Sequence, residues 1–192
     1  EQATLAFVTG GSQGSSALNE VFTAYVAGVS RGDIKRPEEL HLLWSTGSGH
    51  FAGVVKSFGE RGLPRWVHTL PYIEDMPGAL VAADLAVSRA GAMTIAEFLN
   101  HGLPAVLVPL PTATENHQEH NARALEAAGA ARVVPQRELS PSRLAKEIAS
   151  MAMDPLSLEQ MGMRASERAY PRATQEIAGD VTTMLSPIRS AA

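Results

Sequence analysis

Six short runs of β-forming residues recur along this chain with helical patterns between them, and no other feature restricts the fold as much. The runs are residues 5–9, 40–45, 65–70, 85–88, 105–109 and 132–134. In the first interval Leu18, Val21, Phe22, Tyr25, Val26 and Val29 fall at i, i+3, i+4, i+7, i+8 and i+11, the stripe of an amphipathic helix. The same period predicts helices at about 51–60, 76–83, 94–101, 117–128 and 142–153. Strand and helix in strict alternation mean parallel pairing, right-handed crossovers and helices on both sheet faces. The expected fold class is therefore α/β: a doubly wound, Rossmann-like parallel sheet of six strands.

In such a sheet ligands sit beyond the carboxyl ends of the strands, so the residues just after each strand carry the functional information. A core of about 1–153 is expected to hold all the strands. Past Pro155 the helical "LSLEQMGMRASERAY" and "TQEIAGDVTTML" have no strand between them, so residues 154–192 read as extra closing helices, suited to packing on a neighbouring domain. No internal repeat, low-complexity segment or linker divides the chain.

Composition fits a globular chain with a substantial core, at 45% hydrophobic and 19% charged residues. The net charge of −4 and the scattered Lys and Arg leave no basic footprint for nucleic acid. With no cysteine, disulfides, thiolate metal sites and thiol nucleophiles are excluded, and a reducing compartment is compatible. No apolar run approaches the ~20 residues of a spanning helix, and the expectation is a soluble chain. Glu1 opens straight into a strand pattern, as in a fragment, a processed product or a trimmed chain.

The segment "LAFVTGGSQGSSALNEVF" sets strand, glycine loop and helix in a row, and three chemistries use something similar. The dinucleotide fingerprint fails because Thr9 stands where a glycine is needed and no ribose-binding acid follows the second strand. A P-loop fails because the only lysines are Lys35, Lys56 and Lys146. Gly10-Gly11-Ser12-Gln13-Gly14 does satisfy the nucleophile elbow G-x-S-x-G of a serine hydrolase. That machinery takes an oxyanion-hole amide from an earlier strand's loop, and only nine residues precede Gly10. The physical reading that remains is an anion cradle: small residues leave backbone N–H groups at a helix N-terminus, where the helix dipole favours negative charge. A tight turn capped by Ser15 or Ser16 needs no ligand, but Gly10, Gly11 and Gly14 within five residues are more than a cap requires.

Later strand ends repeat the theme. "STGSGHF" follows the second strand and reads as a βα turn. Ser88-Arg89-Ala90-Gly91-Ala92-Met93-Thr94-Ile95-Ala96-Glu97 follows the fourth, with Thr94, Glu97 and His101 on one helical stripe apart from Ile95 and Leu99. A carboxylate one turn into a helix can accept both hydroxyls of a ribose, although a lone Glu there is more often a solvated acid balancing the dipole. After the fifth strand, prolines set a rigid loop, Asn116 is placed to cap the next helix, and His117, Gln118 and Asn121 line its first turns. Amide and imidazole groups suit sugar hydroxyls. His117 and His120 with Glu115 or Glu119 lack a third fixed ligand, so metal is disfavoured.

Together "VTGGSQGSSALN", "YIEDM", "ADLAVSRAGAMTIAE", "GLPAVLVPLP" and "NHQEHNARALEAAGAA" resemble the C-terminal domain of the MurG family. These are bacterial UDP-N-acetylglucosamine:lipid I N-acetylglucosaminyltransferases of peptidoglycan synthesis with a two-domain GT-B fold. The resemblance covers Leu5 to about Leu139 well and the last helices loosely. It implies one half of a GT-B fold, with Ser12 and the amides of Gly11, Ser12, Gln13 and Gly14 on the diphosphate of the donor. Ile73 would meet the uracil through its backbone, Ala92, Met93 and Thr94 the phosphate and sugar, and Glu97 the ribose. His117 and Gln118, where some members carry Gln-Gln, would contact N-acetylglucosamine, with Asn121 beside them.

No metal or other cofactor is implied, and no catalytic residue in this chain. The base, the lipid I site and the contact with the cytoplasmic side of the inner membrane would belong to an N-terminal domain absent from this sequence. The chain alone is thus expected to bind UDP-N-acetylglucosamine without turning it over. Rival readings are a GT-B transferase of other acceptor specificity, a hydrolase using Ser12, and a binding module detached from catalysis.

Overall fold

The computed structural model describes residues 3–189, so Glu1 lies outside the described residues. Six parallel strands form one sheet in the order β3-β2-β1-β4-β5-β6. They are β1 (Thr4–Thr9), β2 (Leu40–Ser45), β3 (Val67–Leu70), β4 (Leu85–Ser88), β5 (Ala105–Leu107) and β6 (Ala131–Val133). Helices α1 (Ser16–Arg31), α2 (Ser48–Ser57), α3 (Met76–Ala82), α4 (Ala92–Asn100) and α5 (His117–Ala127) make the crossovers. Beyond the sheet lie α6 (Pro141–Ala152), α7 (Pro155–Ser166) and α8 (Ala173–Arg189). The strand order reverses between β1 and β4, the switch point at which doubly wound folds open a crevice.

Alternation along the strands sends successive side chains to opposite faces, and two cores result. On one face Ala6, Val8, Leu42, Trp44 and Val87 pack against Leu18, Phe22, Tyr25 and Val26 of α1 and Leu144, Ile148 and Met151 of α6. The expected stripe of α1 is thus its buried face: Leu18, Phe22, Tyr25 and Val26 are at most 1% exposed. Burial of such side chains is worth ~1.5–3 kcal/mol each. Phe22 meets Trp44 at 5.8 Å between ring centroids, and Tyr25 meets Trp66 edge-on at 6.1 Å. The other face sets Phe7, Ala86, Ala105 and Leu107 against Ile73, Leu80, Ile95, Phe98 and Ala122.

The register aligns the carboxyl ends of the central strands. Thr9 pairs with Ser45 on one side and Ser88 on the other, and Ser88 pairs with Leu107. Four loops therefore start from one rim. Each expected strand and helix is present, with ends shifted by a few residues: α2 starts at Ser48 rather than 51, α4 at Ala92 rather than 94, and β5 ends at Leu107 rather than 109.

Candidate functional site

The loop after β1 is built almost wholly by local hydrogen bonds. Thr9 Oγ1 accepts from Gly11 N at 3.1 Å, Gly11 O accepts from Gly14 N at 3.0 Å, and the Ser15 hydroxyl caps α1 by accepting from Leu18 N at 3.4 Å. Gly11 and Gly14 stand at φ 84° and 77°, a conformation that favours glycine. The loop after β2 buttresses it backbone to backbone. A Cβ on Gly14 would lie 2.0 Å from the Thr46 carbonyl oxygen, and one on Gly47 would lie 2.4 Å from that of Gln13. Asn19 of α1 locks the pair: its Nδ2 donates to Thr46 O at 2.9 Å, and its Oδ1 accepts from Trp44 Nε1 at 3.1 Å. "STGSGHF", in sequence a plain turn, is thus also the support of the glycine loop.

Across the switch point α4 begins at Gly91 with no side-chain cap, leaving its first-turn amides to be satisfied from outside the helix. Gly91 has an ordinary φ of −69°, and a Cβ there would meet nothing within 4 Å. Neither backbone conformation nor internal packing therefore demands glycine at this position. Between the two loops lies a pocket of about 340 Å³. Its lining combines the buried rings Phe7 and Phe98, the strand-end residues Gly11, Ser12 and Ser45, the α4 residues Met93, Thr94 and Glu97, and Tyr72 with Met76. A larger cleft of about 540 Å³, lined by His41, His68 and Asp84, sits instead by Ala3 and Thr4 at the amino-terminal edge of the sheet. There neither helix N-termini nor glycine loops converge.

Arg89 joins the two halves of the rim. It is 8% exposed; its Nε donates to Ser15 Oγ at 3.0 Å, and its Nη1 to Val108 O at 3.2 Å and Pro109 O at 3.4 Å. Among the described residues no carboxylate pairs with it. Burial lowers its pKa, and a guanidinium nonetheless stays charged. Sequence reasoning gave Arg89 no role, although a cation directly after the fully buried strand LAVS was a visible signal.

The expected site residues divide into three groups. Gly11, Ser12, Met93, Thr94 and Glu97 line the pocket. In the second group some of the expected contact atoms are already engaged or lie outside the pocket lining. Gly11 and Gly14 spend their N–H groups inside the loop, so of the four amides expected to face an anion, those of Ser12 and Gln13 remain without a partner among the described residues. The Ile73 side chain is buried in the core, and its neighbour Tyr72, 52% exposed, turns to the pocket. Ala92 is exposed at the start of α4 and not in the pocket wall.

The third group is structural at least in part. Gln118 Oε1 accepts from Ala90 N at 3.2 Å and Leu110 N at 3.1 Å, and Asn121 Nδ2 donates to Ala90 O at 3.4 Å. These side chains strap the loop before α4 to α5, which leaves the Nε2 of Gln118 to offer outward. His117 is exposed at the first position of α5. Asn116 does not cap α5 through its side chain: it sits in the left-handed region at φ 53°, next to Glu115 at φ 50°. His101, placed on the Thr94 and Glu97 stripe, lies past the end of α4, with its Nδ1 2.8 Å from the Glu97 carbonyl. Ser12 has no hydrogen bond to a histidine among the described residues, so a nucleophile and base pair is not assembled there. No group of three metal-ligating side chains gathers among the described residues, and Glu119 is held by Arg123 at 2.8 Å.

Comparison with known proteins agrees with this geometry. Residues 5–177 match the model of the glycosyltransferase family 28 C-terminal domain. A UDP-N-acetylglucosamine--N-acetylmuramyl-(pentapeptide) pyrophosphoryl-undecaprenol N-acetylglucosamine transferase of Acetivibrio thermocellus is 39% identical over 176 residues, which cover 90% of this chain and 45% of the relative. The enzyme of the same name from Alkalilimnicola ehrlichii is 40% identical over 171 residues, 89% of this chain and 46% of the relative. The crystal structure of Acinetobacter baumannii MurG superposes with a TM-score of 0.78 at 30% identity, covering 95% of this chain and 52% of that one. This chain spans about half the length of the relatives it matches. By its sequence, its strand order and its rim of glycine loops, the chain belongs to the glycosyltransferase family 28 C-terminal domain family.

Proposed function

We propose that this chain is the donor-binding half of an inverting glycosyltransferase that moves N-acetylglucosamine from UDP-N-acetylglucosamine to lipid I, making lipid II for peptidoglycan. The observation that carries the proposal is the pocket at the β1 and β4 switch point, lined by Gly11 and Ser12 of the glycine loop on β1 and by Met93, Thr94 and the Glu97 carboxylate of α4, a helix whose start has no side-chain cap. Each element has a chemical counterpart in a nucleotide sugar. Amides at helix N-termini suit a diphosphate. A carboxylate suits the two ribose hydroxyls. Tyr72, Met76 and Met93, the apolar lining residues that reach the surface, give a planar base something to lie on.

In the proposed reaction the 4-hydroxyl of the muramyl sugar attacks the anomeric carbon of the donor. The bond from that carbon to the diphosphate oxygen breaks, UDP departs and the configuration inverts. Charge grows on the departing diphosphate, and oriented amides at the two helix starts stabilise it without reorganising. The proton of the attacking hydroxyl goes to a base outside this chain. On this reading His117 and the free amide nitrogen of Gln118 would meet the sugar. Lipid I and the cytoplasmic face of the inner membrane would be engaged by the other half of the enzyme; no helix among the described residues is long and apolar enough to cross a membrane.

Calorimetric titration of the chain with UDP-N-acetylglucosamine, UDP-N-acetylgalactosamine and UDP tests the proposal. Saturable heat is expected with UDP and with UDP-N-acetylglucosamine, and a weaker response with the galactosamine isomer. A folded chain that takes up no uridine nucleotide would overturn it.

A further inference from the structure

Arg89 is a cation buried without a counter-ion among the described residues, which is costly for a fold to keep. Its three acceptors, the Ser15 hydroxyl and the Val108 and Pro109 carbonyls, are all neutral. They engage its N–H groups but leave its charge unbalanced. The position is specific. Arg89 follows β4 directly, reaches the Ser15 N-cap of α1 and grips the carbonyls just past β5, so the charge sits on the rim from which the glycine loop and α4 both start.

We infer that Arg89 is the built-in counter-charge of the phosphate site: a positioning residue that acts through the Ser15 cap and is balanced only when an anion occupies the pocket. This rests on the reading of the pocket as a nucleotide diphosphate site. Two consequences follow from the geometry. The Ser15 hydroxyl, held by Arg89 on one side and Leu18 N on the other, fixes the end of the glycine loop beside Gly14. The buried charge acts across a low-dielectric interior, where it is screened far less than a surface lysine would be. Its effect should therefore scale with the charge of the ligand and be absent for an uncharged one.

The test is a titration series of uridine, UMP and UDP against the wild-type chain, Arg89→Gln and Arg89→Lys, with melting temperatures recorded for each. Expected is at least a tenfold fall in the affinity ratio of UDP to uridine in Arg89→Gln, with uridine itself changed less than threefold. Arg89→Lys, which keeps the charge and loses the guanidinium fork, should hold the ratio within about threefold of wild type. Equal losses for uridine and UDP, or an unchanged ratio in Arg89→Gln, would assign Arg89 a purely structural role and overturn the inference. Should Arg89→Gln fail to fold, Arg89→Lys decides alone, since a tenfold fall in its ratio rules out the charge account and a retained ratio supports it. Wild-type chain that binds no uridine nucleotide would instead bring down the nucleotide reading, and this inference with it.

Discussion

Glu97 and Tyr25 show how one side chain's surroundings decide what it can do. Glu97 is half-buried in the pocket wall, one turn from an uncapped helix start, and no cation pairs with it among the described residues. On the proposed reading Glu97→Ala removes charge-assisted hydrogen bonds to the ribose, so UDP binding should weaken by about 1–3 kcal/mol. A 2′,3′-dideoxy analogue of UDP should lose nothing from the same change. Equal loss for both nucleotides in calorimetry would mean that Glu97 acts on the fold and not on the hydroxyls. Tyr25 presents the opposite case: its hydroxyl is buried with no partner among the described residues, and burial pushes its pKa up to about 12, against the weaker opposing pull of Arg36. The folded state favours the neutral phenol, so this contribution is complete below pH 10 and is lost as pH rises from 10 through 12. The loss should approach about 2–3 kcal/mol, since each tenfold difference in proton affinity between the folded and unfolded chain is worth about 1.4 kcal/mol. Tyr25→Phe should flatten that alkaline limb in urea denaturation while leaving stability at pH 7 unchanged or higher, because it removes an unsatisfied hydroxyl.

At the scale of elements, the glycine loops offer a clean separation of two costs. Ala at either Gly11 or Gly14 must adopt a left-handed backbone, at about 1–2 kcal/mol. Only at Gly14 does the new Cβ also run into the Thr46 backbone, which cannot swing aside; at Gly11 it meets open space. Overpacking adds about 1–3 kcal/mol, so Gly14→Ala should be the more destabilising of the two by that amount in urea melts. Indistinguishable midpoints would contradict the buttress. The same contrast explains what is legible in the sequence. Local periodicity discloses every strand and α-helix, and it places Thr94 and Glu97 on one face because both follow from the period of a single helix. It does not disclose the contact of Gly14 with Thr46, nor Gln118 strapping Ala90, because those join elements 28 or more residues apart. Helix starts without apolar residues slip for a related reason: Ser48-Gly49-His50 carries no hydrophobic signal, and the Gly91 start has no capping side chain to mark it. Asn116 has the side chain of a cap and not its backbone, and residue type alone does not reveal a left-handed conformation.

For the molecule as a whole, the distribution of apolar surface complements the distribution of chemistry. The two sheet faces account for the buried hydrophobic residues other than Ala130 and Ala165, while Ile177, Val181, Met184 and Leu185 form an exposed stripe along α8, with Leu156, Met163 and Tyr170 exposed on the preceding segment. The chain can thus fold around its own core while leaving α8 with an apolar face that this core does not use. The proposed donor site draws on α1, α4 and the β1 to β5 rim, all within the self-contained part, so nucleotide binding should survive in isolation. Transfer is different. It needs a base and a seat for the acceptor, and the rim supplies amides, a carboxylate and a buried guanidinium already engaged in holding loops. The expected outcome is a chain that titrates with UDP-N-acetylglucosamine yet releases no UDP above the uncatalysed rate when lipid I is added. Charged substitutions at Val181 and Leu185 should leave both its urea midpoint and its UDP affinity unchanged, since neither side chain is buried in this chain. Turnover by the 192-residue chain alone, followed by release of UDP, would show that the catalytic base lies within it and would move attention to His117, the exposed imidazole at the first position of α5.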